Sequence, residues 1–199
     1  MKQHAFFWKE REIEVFDGLY DFREDSQLLA ESASIPKNAI VLDLGCGCGI
    51  QGFNALWLGA QRVLAADMDS KAIDCAAQNA KRLGFTTGQW GARKSDLFES
   101  IPERFDAILF NPPYLPTEGP HNLALDGGKN GREVLDKFLQ TASQHVNPNG
   151  TIFFIHSSLN GWEKTEQLLK KLRLRFEIVG RKKLFFEELI VVRAKTPTA

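Results

Sequence analysis

Short apolar runs alternate along this chain with longer stretches whose apolar residues recur at helical spacing. The pattern predicts a helix around Asp25 to Ala33, a buried strand at 39–43, and a helix running through Leu58. A strand at 62–66 leads into a helix from about Asp69 that sets Ala72, Ile73, Ala76, Ala77 and Ala80 on one face and stops at Gly84. After a weaker strand before Ser95, the run 105–110 predicts another strand. A long loop over 111–130 then leads to a helix with Val134, Leu135, Phe138, Leu139, Ala142 and Val146 at helical spacing, stopped by Asn147-Pro148-Asn149-Gly150. A strand at 151–155 and a helix around Trp162 to Leu172 follow. Two final strands, about 175–182 and 187–194, are joined so tightly that they must pair antiparallel. Strands alternating with helices predict an α/β fold. No repeat or low-complexity linker interrupts the pattern, so 1–199 reads as a single domain. The loop at 111–130, with Gly119, Gly127, Gly128 and Gly131, has the length of a lid or binding loop.

Polar side chains stand at four strand ends. Val41-Leu42-Asp43-Leu44-Gly45-Cys46-Gly47-Cys48-Gly49 reads as a strand, an acid and a glycine turn feeding a helix. Glycines permit positive φ and let a ligand meet bare backbone, while the helix start offers free N–H groups. Ile50 stands where the dinucleotide fingerprint wants its third glycine, which disfavours a pyrophosphate. Asp67 ends the next strand, where nucleotide folds place an acid against ribose hydroxyls, and Ser95-Asp96-Leu97-Phe98 brings another carboxylate. The fourth end is Asn111-Pro112-Pro113-Tyr114. Proline pushes the residue before it into an extended conformation, so Asn111 should be held in one pose. Each polar end alone reads as a solvated loop residue. In an open parallel sheet, Asp43, Asp67, Asp96 and Asn111 should instead converge in the crevice at the strands' carboxyl ends.

Composition narrows the function classes. The 199 residues are 43% hydrophobic and 11% aromatic, enough for a sizeable core. The zero net charge gives no electrostatic argument for nucleic acid or an anionic membrane, and the basic cluster Arg173, Arg175, Arg181, Lys182 and Lys183 reads as a solvated face. With neither a bilayer-spanning run nor a charged-then-apolar leader, a soluble cytoplasmic protein is expected. Cys46, Cys48 and Cys75 are odd in number and lack framework spacing, which predicts reduced thiols. The Cys-x-Cys pair has no partner pair or histidine nearby, so no metal site is predicted. His4, His121, His145 and His156 are scattered. His156 falls at a strand end, and no catalytic role is assigned to it.

On these motifs the chain resembles a class I S-adenosylmethionine-dependent methyltransferase, within it the HemK-like group that methylates the glutamine amide of translation release factors. The resemblance runs from about Tyr20 to Arg193 and includes two flanking stretches. Tyr20-Asp21-Phe22-Arg23-Glu24-Asp25-Ser26 is similar to the Tyr-x-Pro-x-Glu-Asp-Ser/Thr segment of the short archaeal and eukaryotic branch, with Phe22 in place of proline. Asp126-Gly127-Gly128-Lys129-Asn130-Gly131-Arg132-Glu133 resembles that branch's Gly-Gly-x-Asn-Gly-Arg-Glu. The short chain ahead of the glycine turn fits this branch better than the bacterial one, which carries a helical substrate domain there.

The resemblance implies a doubly wound, mostly parallel seven-stranded sheet with a C-terminal antiparallel strand, and S-adenosylmethionine as cofactor. Asp43, Gly45 and Gly47 would lie along the methionine moiety, with Gly49 in the same turn and Ser26 at the same end. Asp67 would take the ribose hydroxyls, Asp96 and Leu97 the adenine, and Asn111 would face cofactor and substrate. Glu24 and Asp25 read equally as helix N-terminal charge and as site residues. Asn111, Pro112, Pro113 and Tyr114 would be catalytic. The Asn111 side-chain oxygen and the Pro112 carbonyl would each accept a hydrogen of a planar NH₂, with Tyr114 on its flat face.

A release factor is the implied protein substrate, and a small zinc-binding activator an implied partner. The segment 86–92 would be an edge strand with few protecting charges and Trp90 nearby, open to strand addition. Two other readings stand beside this one. A methyltransferase acting on the exocyclic amine of adenine or guanine in RNA or DNA would use a similar motif, though the neutral charge weighs against it. A non-catalytic cofactor-binding partner is disfavoured by the intact Asn-Pro-Pro-Tyr.

Overall fold

Successive residues of the central strands bury in opposite directions, and this period of two builds a core on each face of one sheet. The computed structural model describes residues 3–117 and 124–196. An N-terminal hairpin, β1 (Gln3–Trp8) and β2 (Arg11–Phe16), stands apart from the seven-stranded sheet. The sheet comprises β3 (Ile40–Leu44), β4 (Arg62–Asp67), β5 (Trp90–Lys94), β6 (Phe105–Phe110), β7 (Val146–Ser157), β8 (Arg175–Lys183) and β9 (Glu188–Lys195), in the order β5-β4-β3-β6-β7-β9-β8. Strands β3 to β7 run parallel, and β9 lies antiparallel between β7 and β8, as the tight final connection requires.

Helices α1 (Glu24–Ser32), α2 (Ile50–Trp57) and α3 (Ser70–Arg82) share one core with Val41, Leu109, Phe153 and Ile155. Helices α4 (Glu133–Ala142) and α5 (Trp162–Lys171) share the other with Leu42, Leu44, Ile108, Phe110 and Phe154. Each fully buried large side chain contributes about 1.5–3 kcal/mol, so both faces are strongly specified. Strand β3 has β4 on one side and β6 on the other, with Leu44 opposite Phe110. The strand order reverses there, and the crevice opens at the carboxyl ends.

Three sequence expectations need correction. The hairpin β1–β2 was not predicted. It docks through Asn79 of α3, which accepts the Glu14 N–H at 3.0 Å and donates to its carbonyl at 2.7 Å, and through the Trp8 indole, which donates to Asn54 at 3.1 Å. The helix expected through Val146 ends at Ala142. Val146 pairs with Phe105, so β7 begins there, and the Asn-Pro-Asn-Gly segment lies within it beside a register shift. At the sheet edge the strand runs Trp90–Lys94, while Gln89 N–H folds back to the Thr86 carbonyl at 3.0 Å. Trp90 is buried against Phe53, so the ring serves the core and does not advertise the edge. Gly119 and His121 of the long loop lie outside the described residues. No described helix is long and apolar enough to cross a membrane.

Candidate active site

The carboxyl ends of β3, β4 and β6 and the turn after β5 enclose a cavity of about 660 Å³, a size typical of small-molecule sites. Ser26, Gly45, Gly47, Asp67, Asp96, Leu97, Asn111, Pro112, Pro113 and Tyr114 all line it. Of the residues expected at the site, Asp43 and Gly49 are not among its walls.

Both of those residues build the turn beneath it. Asp43 is fully buried and accepts the Gly52 N–H at 2.8 Å, tying β3 to α2. A side chain at Gly52 would bring its Cβ within 2.8 Å of Val63 and 3.1 Å of the Asp43 carboxylate, so only glycine lets the helix sit this close. Gly49 caps α2 with φ 92°, and a Cβ there would meet the Phe53 ring at 2.6 Å. Burial pushes the Asp43 pKa up to about 8, with the Gly52 bond opposing and the Asp67 charge adding to the rise. A carboxyl whose pKa is raised on folding favours the folded state most below its unfolded value and loses that contribution as pH climbs through the folded one. Between about pH 4 and pH 8, Asp43→Asn should therefore gain on the wild type by up to about 1.4 kcal/mol per pH unit. Thermal unfolding of both ligand-free proteins against pH measures this, and parallel curves would contradict it.

Above this floor, Asp25 organises the Asn-Pro-Pro-Tyr turn. It is 3% exposed; its Oδ1 accepts the Ser26 N–H at 2.6 Å, while Oδ2 accepts from the Tyr20 hydroxyl at 2.8 Å, Asn111 Nδ2 at 3.0 Å and the Tyr114 hydroxyl at 3.4 Å. Burial, reinforced by the Asp25 charge, pushes the pKa of both tyrosines upward, so they remain neutral donors. A carboxylate only accepts, which forces the Asn111 amide nitrogen toward Asp25 and Ser26 Oγ (3.2 Å) and turns its oxygen away. That oxygen is buried and accepts nothing from the described residues. Gln51, also in the cavity wall, repeats the arrangement: Nε2 donates to the Ser26 carbonyl at 2.8 Å, and Oε1 is buried without a partner among the described residues. Unpaired buried acceptors are costly, so the cavity favours ligands that donate.

The other carboxylate is held by backbone. Asp67 accepts from Gly47 N–H at 3.0 Å and Asp69 N–H at 2.9 Å; burial raises its pKa, and these bonds oppose the rise. Gly47 has nothing within 4 Å of an added Cβ. Leu97 is held at φ 45°, with its carbonyl accepting from Ser95 Oγ at 2.9 Å.

Residues 21–186 match the methyltransferase small domain. The chain belongs to this family. It is 37% identical over 188 residues to a candidate protein N5-glutamine methyltransferase of Methanocaldococcus jannaschii, a match covering 92% of this chain and 94% of that one. It is 35% identical over 162 residues to the release factor glutamine methyltransferase of Cereibacter sphaeroides, covering 73% of this chain and 56% of that protein. Among solved structures, the E. cuniculi Mtq2–Trm112 complex responsible for methylation of the eRF1 translation termination factor superposes with a TM-score of 0.71 at 24% identity, over 90% of this chain and 99% of that one.

In this HemK-like methyltransferase, the segment after the Asn-Pro-Pro-Tyr turn is a brace. Leu115 N–H donates to the Leu125 carbonyl and the Leu115 carbonyl accepts from Gly127 N–H, both at 3.0 Å, while Asn160 Nδ2 donates to the Tyr114 carbonyl at 2.7 Å and the Gly131 carbonyl at 2.9 Å. Arg132, 6% exposed, locks Asn160 in turn by donating to its carbonyl at 2.6 Å and to Thr165 at 2.7 Å. Gln51 and Asn160 carry no motif signal and were missed, while Tyr20 heads one of the flanking motifs but was assigned no role. His156 lines a separate hollow of about 170 Å³, where burial and then the Arg132 charge drive its pKa down to about 4 and keep it neutral. The three cysteines are free and buried, with burial raising each thiol's pKa, and no described cluster of His, Cys, Asp and Glu could hold a metal.

Proposed function

We propose that this methyltransferase moves a methyl group from S-adenosylmethionine to the side-chain amide nitrogen of a glutamine in a translation release factor, in the cytoplasm. The observation that carries this reading is the unpartnered Asn111 Oδ1. Its own NH₂ is committed to Asp25 and Ser26, so the free oxygen awaits a donor. A glutamine NH₂ offers two hydrogens in one plane, one for Asn111 Oδ1 and one for the Pro112 carbonyl. Held this way, its nitrogen lone pair points out of that plane, and the two oxygens stabilise the positive charge that grows on nitrogen. Tyr114 covers the flat face of the amide. No base is needed before attack, because the amide attacks as a neutral group and sheds a proton only once the new bond has formed.

The cavity fits the cofactor's donors. The open face of Gly47 leaves room for its chain, Gln51 Oε1 and Ser26 suit its amine end, Asp67 suits the ribose hydroxyls, and Asp96 with Leu97 suits the adenine. When bound, the cofactor supplies an electrophilic methyl carbon on a sulfonium. Asp43 and Gly49 support this site through α2. Asp67→Ala should weaken S-adenosylmethionine binding by about 2–3 kcal/mol, the scale of charge-assisted hydrogen bonds, and it also frees the Gly47 N–H. Isothermal titration checks this, and unchanged affinity would misplace the ribose.

The reading extends to a small zinc-binding activator. Support for a partner comes from the E. cuniculi complex and from β5, which among the described residues pairs only with β4 and leaves a sheet edge open. Full activity of the isolated chain on its substrate would remove this part. The whole reading is tested with labelled cofactor and separate protein and RNA pools, where label confined to RNA would favour the nucleobase amine.

A further inference from the structure

Phe185 and Phe186, at the turn between β8 and β9, are 91% and 85% exposed. Their rings meet edge to face at 4.5 Å, so together they present one apolar knob to solvent. No described residue covers that surface, and two adjacent phenylalanines left in water mark an interaction site more often than a folding requirement.

The knob is joined to the catalytic turn by a short, ordered path. The turn closes with Leu184 N–H on the Glu187 carbonyl at 2.8 Å, and Leu184 packs against the same core as Tyr114. Ser157 hydrogen-bonds the Glu187 carboxylate, and Glu188 N–H donates to Ser158 Oγ at 3.0 Å. The next residues lead to Asn160, which holds the Tyr114 carbonyl. A knob fixed on the same unit as Asn-Pro-Pro-Tyr keeps a constant offset from the reacting nitrogen, as recognition of a folded substrate demands.

We infer that Phe185 and Phe186 dock the protein substrate, inserting into an apolar depression on its surface next to the methyl-accepting side chain. This rests on the reading of the cavity as a protein amide methyltransferase site. Two phenylalanines supply roughly 300–500 Å² of apolar contact, about half of one partner's share of a standard interface. The basic pair Lys182-Lys183 and the acidic pair Glu187-Glu188 frame the knob and would form the polar rim.

The test compares wild type with the F185S/F186S double variant on two substrates, the folded release factor of the same organism and a short peptide spanning its acceptor glutamine. Because both rings are exposed, the variant should unfold at the wild-type temperature and bind S-adenosylmethionine equally well. Its kcat/KM on the folded factor should fall about tenfold to a hundredfold, mainly through KM, with no change on the peptide. Unchanged turnover of the folded factor overturns the docking role while leaving the methyltransferase reading intact. An equal loss on both substrates also overturns it, because the rings would then act on the site itself. A wild-type dimer in sedimentation that the variant abolishes would assign the knob to a second copy instead. If the wild type methylates neither substrate, the functional reading fails first and the docking inference falls with it.

Discussion

Asn111→Ala should lower the methyl-transfer rate about a hundredfold or more, the usual consequence of removing one preorganised polar contact from a transition state. The residue spends its amide nitrogen on Asp25 and Ser26 and leaves its buried oxygen unpaired, and alanine removes both the oxygen and the anchor. Fold stability should change little, because Asp25 keeps its bonds from Tyr20 and the Ser26 backbone. Single-turnover kinetics on the release factor separates this loss from any change in binding. Near wild-type turnover would mean that the Asn-Pro-Pro-Tyr turn is only structural.

The second large effect lies some way along the chain from the chemistry. Gly131 has φ 65°, and a Cβ there would overlap the Tyr114 carbonyl oxygen and come within 2.5 Å of Asn160 Nδ2. The carbonyl is backbone and cannot swing aside. Left-handed geometry costs alanine about 1–2 kcal/mol and forced repacking about 1–3 more, so Gly131→Ala should lose about 2–5 kcal/mol of stability. It should also reduce turnover, because the displaced carbonyl belongs to Tyr114. Urea unfolding measures the first effect; a change below about 0.5 kcal/mol, the range of ordinary surface substitutions, would show that this segment does not brace the turn.

Much of this architecture was legible because buried strands and amphipathic helices leave periodic traces. The β3, β4 and β6 runs were found within a residue or so, and their carboxyl-end residues Asp67 and Asn111 meet where an open parallel sheet says they must. The hairpin was invisible for a physical reason. Its two-residue turn is Lys9-Glu10, both at positive φ, where the usual signal is Asn-Gly; β1 buries only Trp8, and β2 interleaves charges with the buried Ile13, Val15 and Phe16. Val146 continued the helical period of α4 but found a better partner across the sheet in Phe105. Asp43 illustrates a further limit. Sequence places a carboxylate at a strand end, yet pleat direction turns this one under α2 and away from the cavity. Asp25 was undecided between helix charge and site, because nothing local reveals that Tyr20, Asn111 and Tyr114 converge on it.

The central claim is that the cavity holds a planar side-chain amide for methylation. Tandem mass spectrometry of the release factor, after incubation with this protein and S-adenosylmethionine, tests it most directly. The account predicts a single added methyl on the side-chain nitrogen of one glutamine, absent when Asn111→Ala replaces the wild type in a short incubation. A methyl group found on any other side chain, or an unmodified factor while RNA in the same reaction becomes methylated, would contradict it.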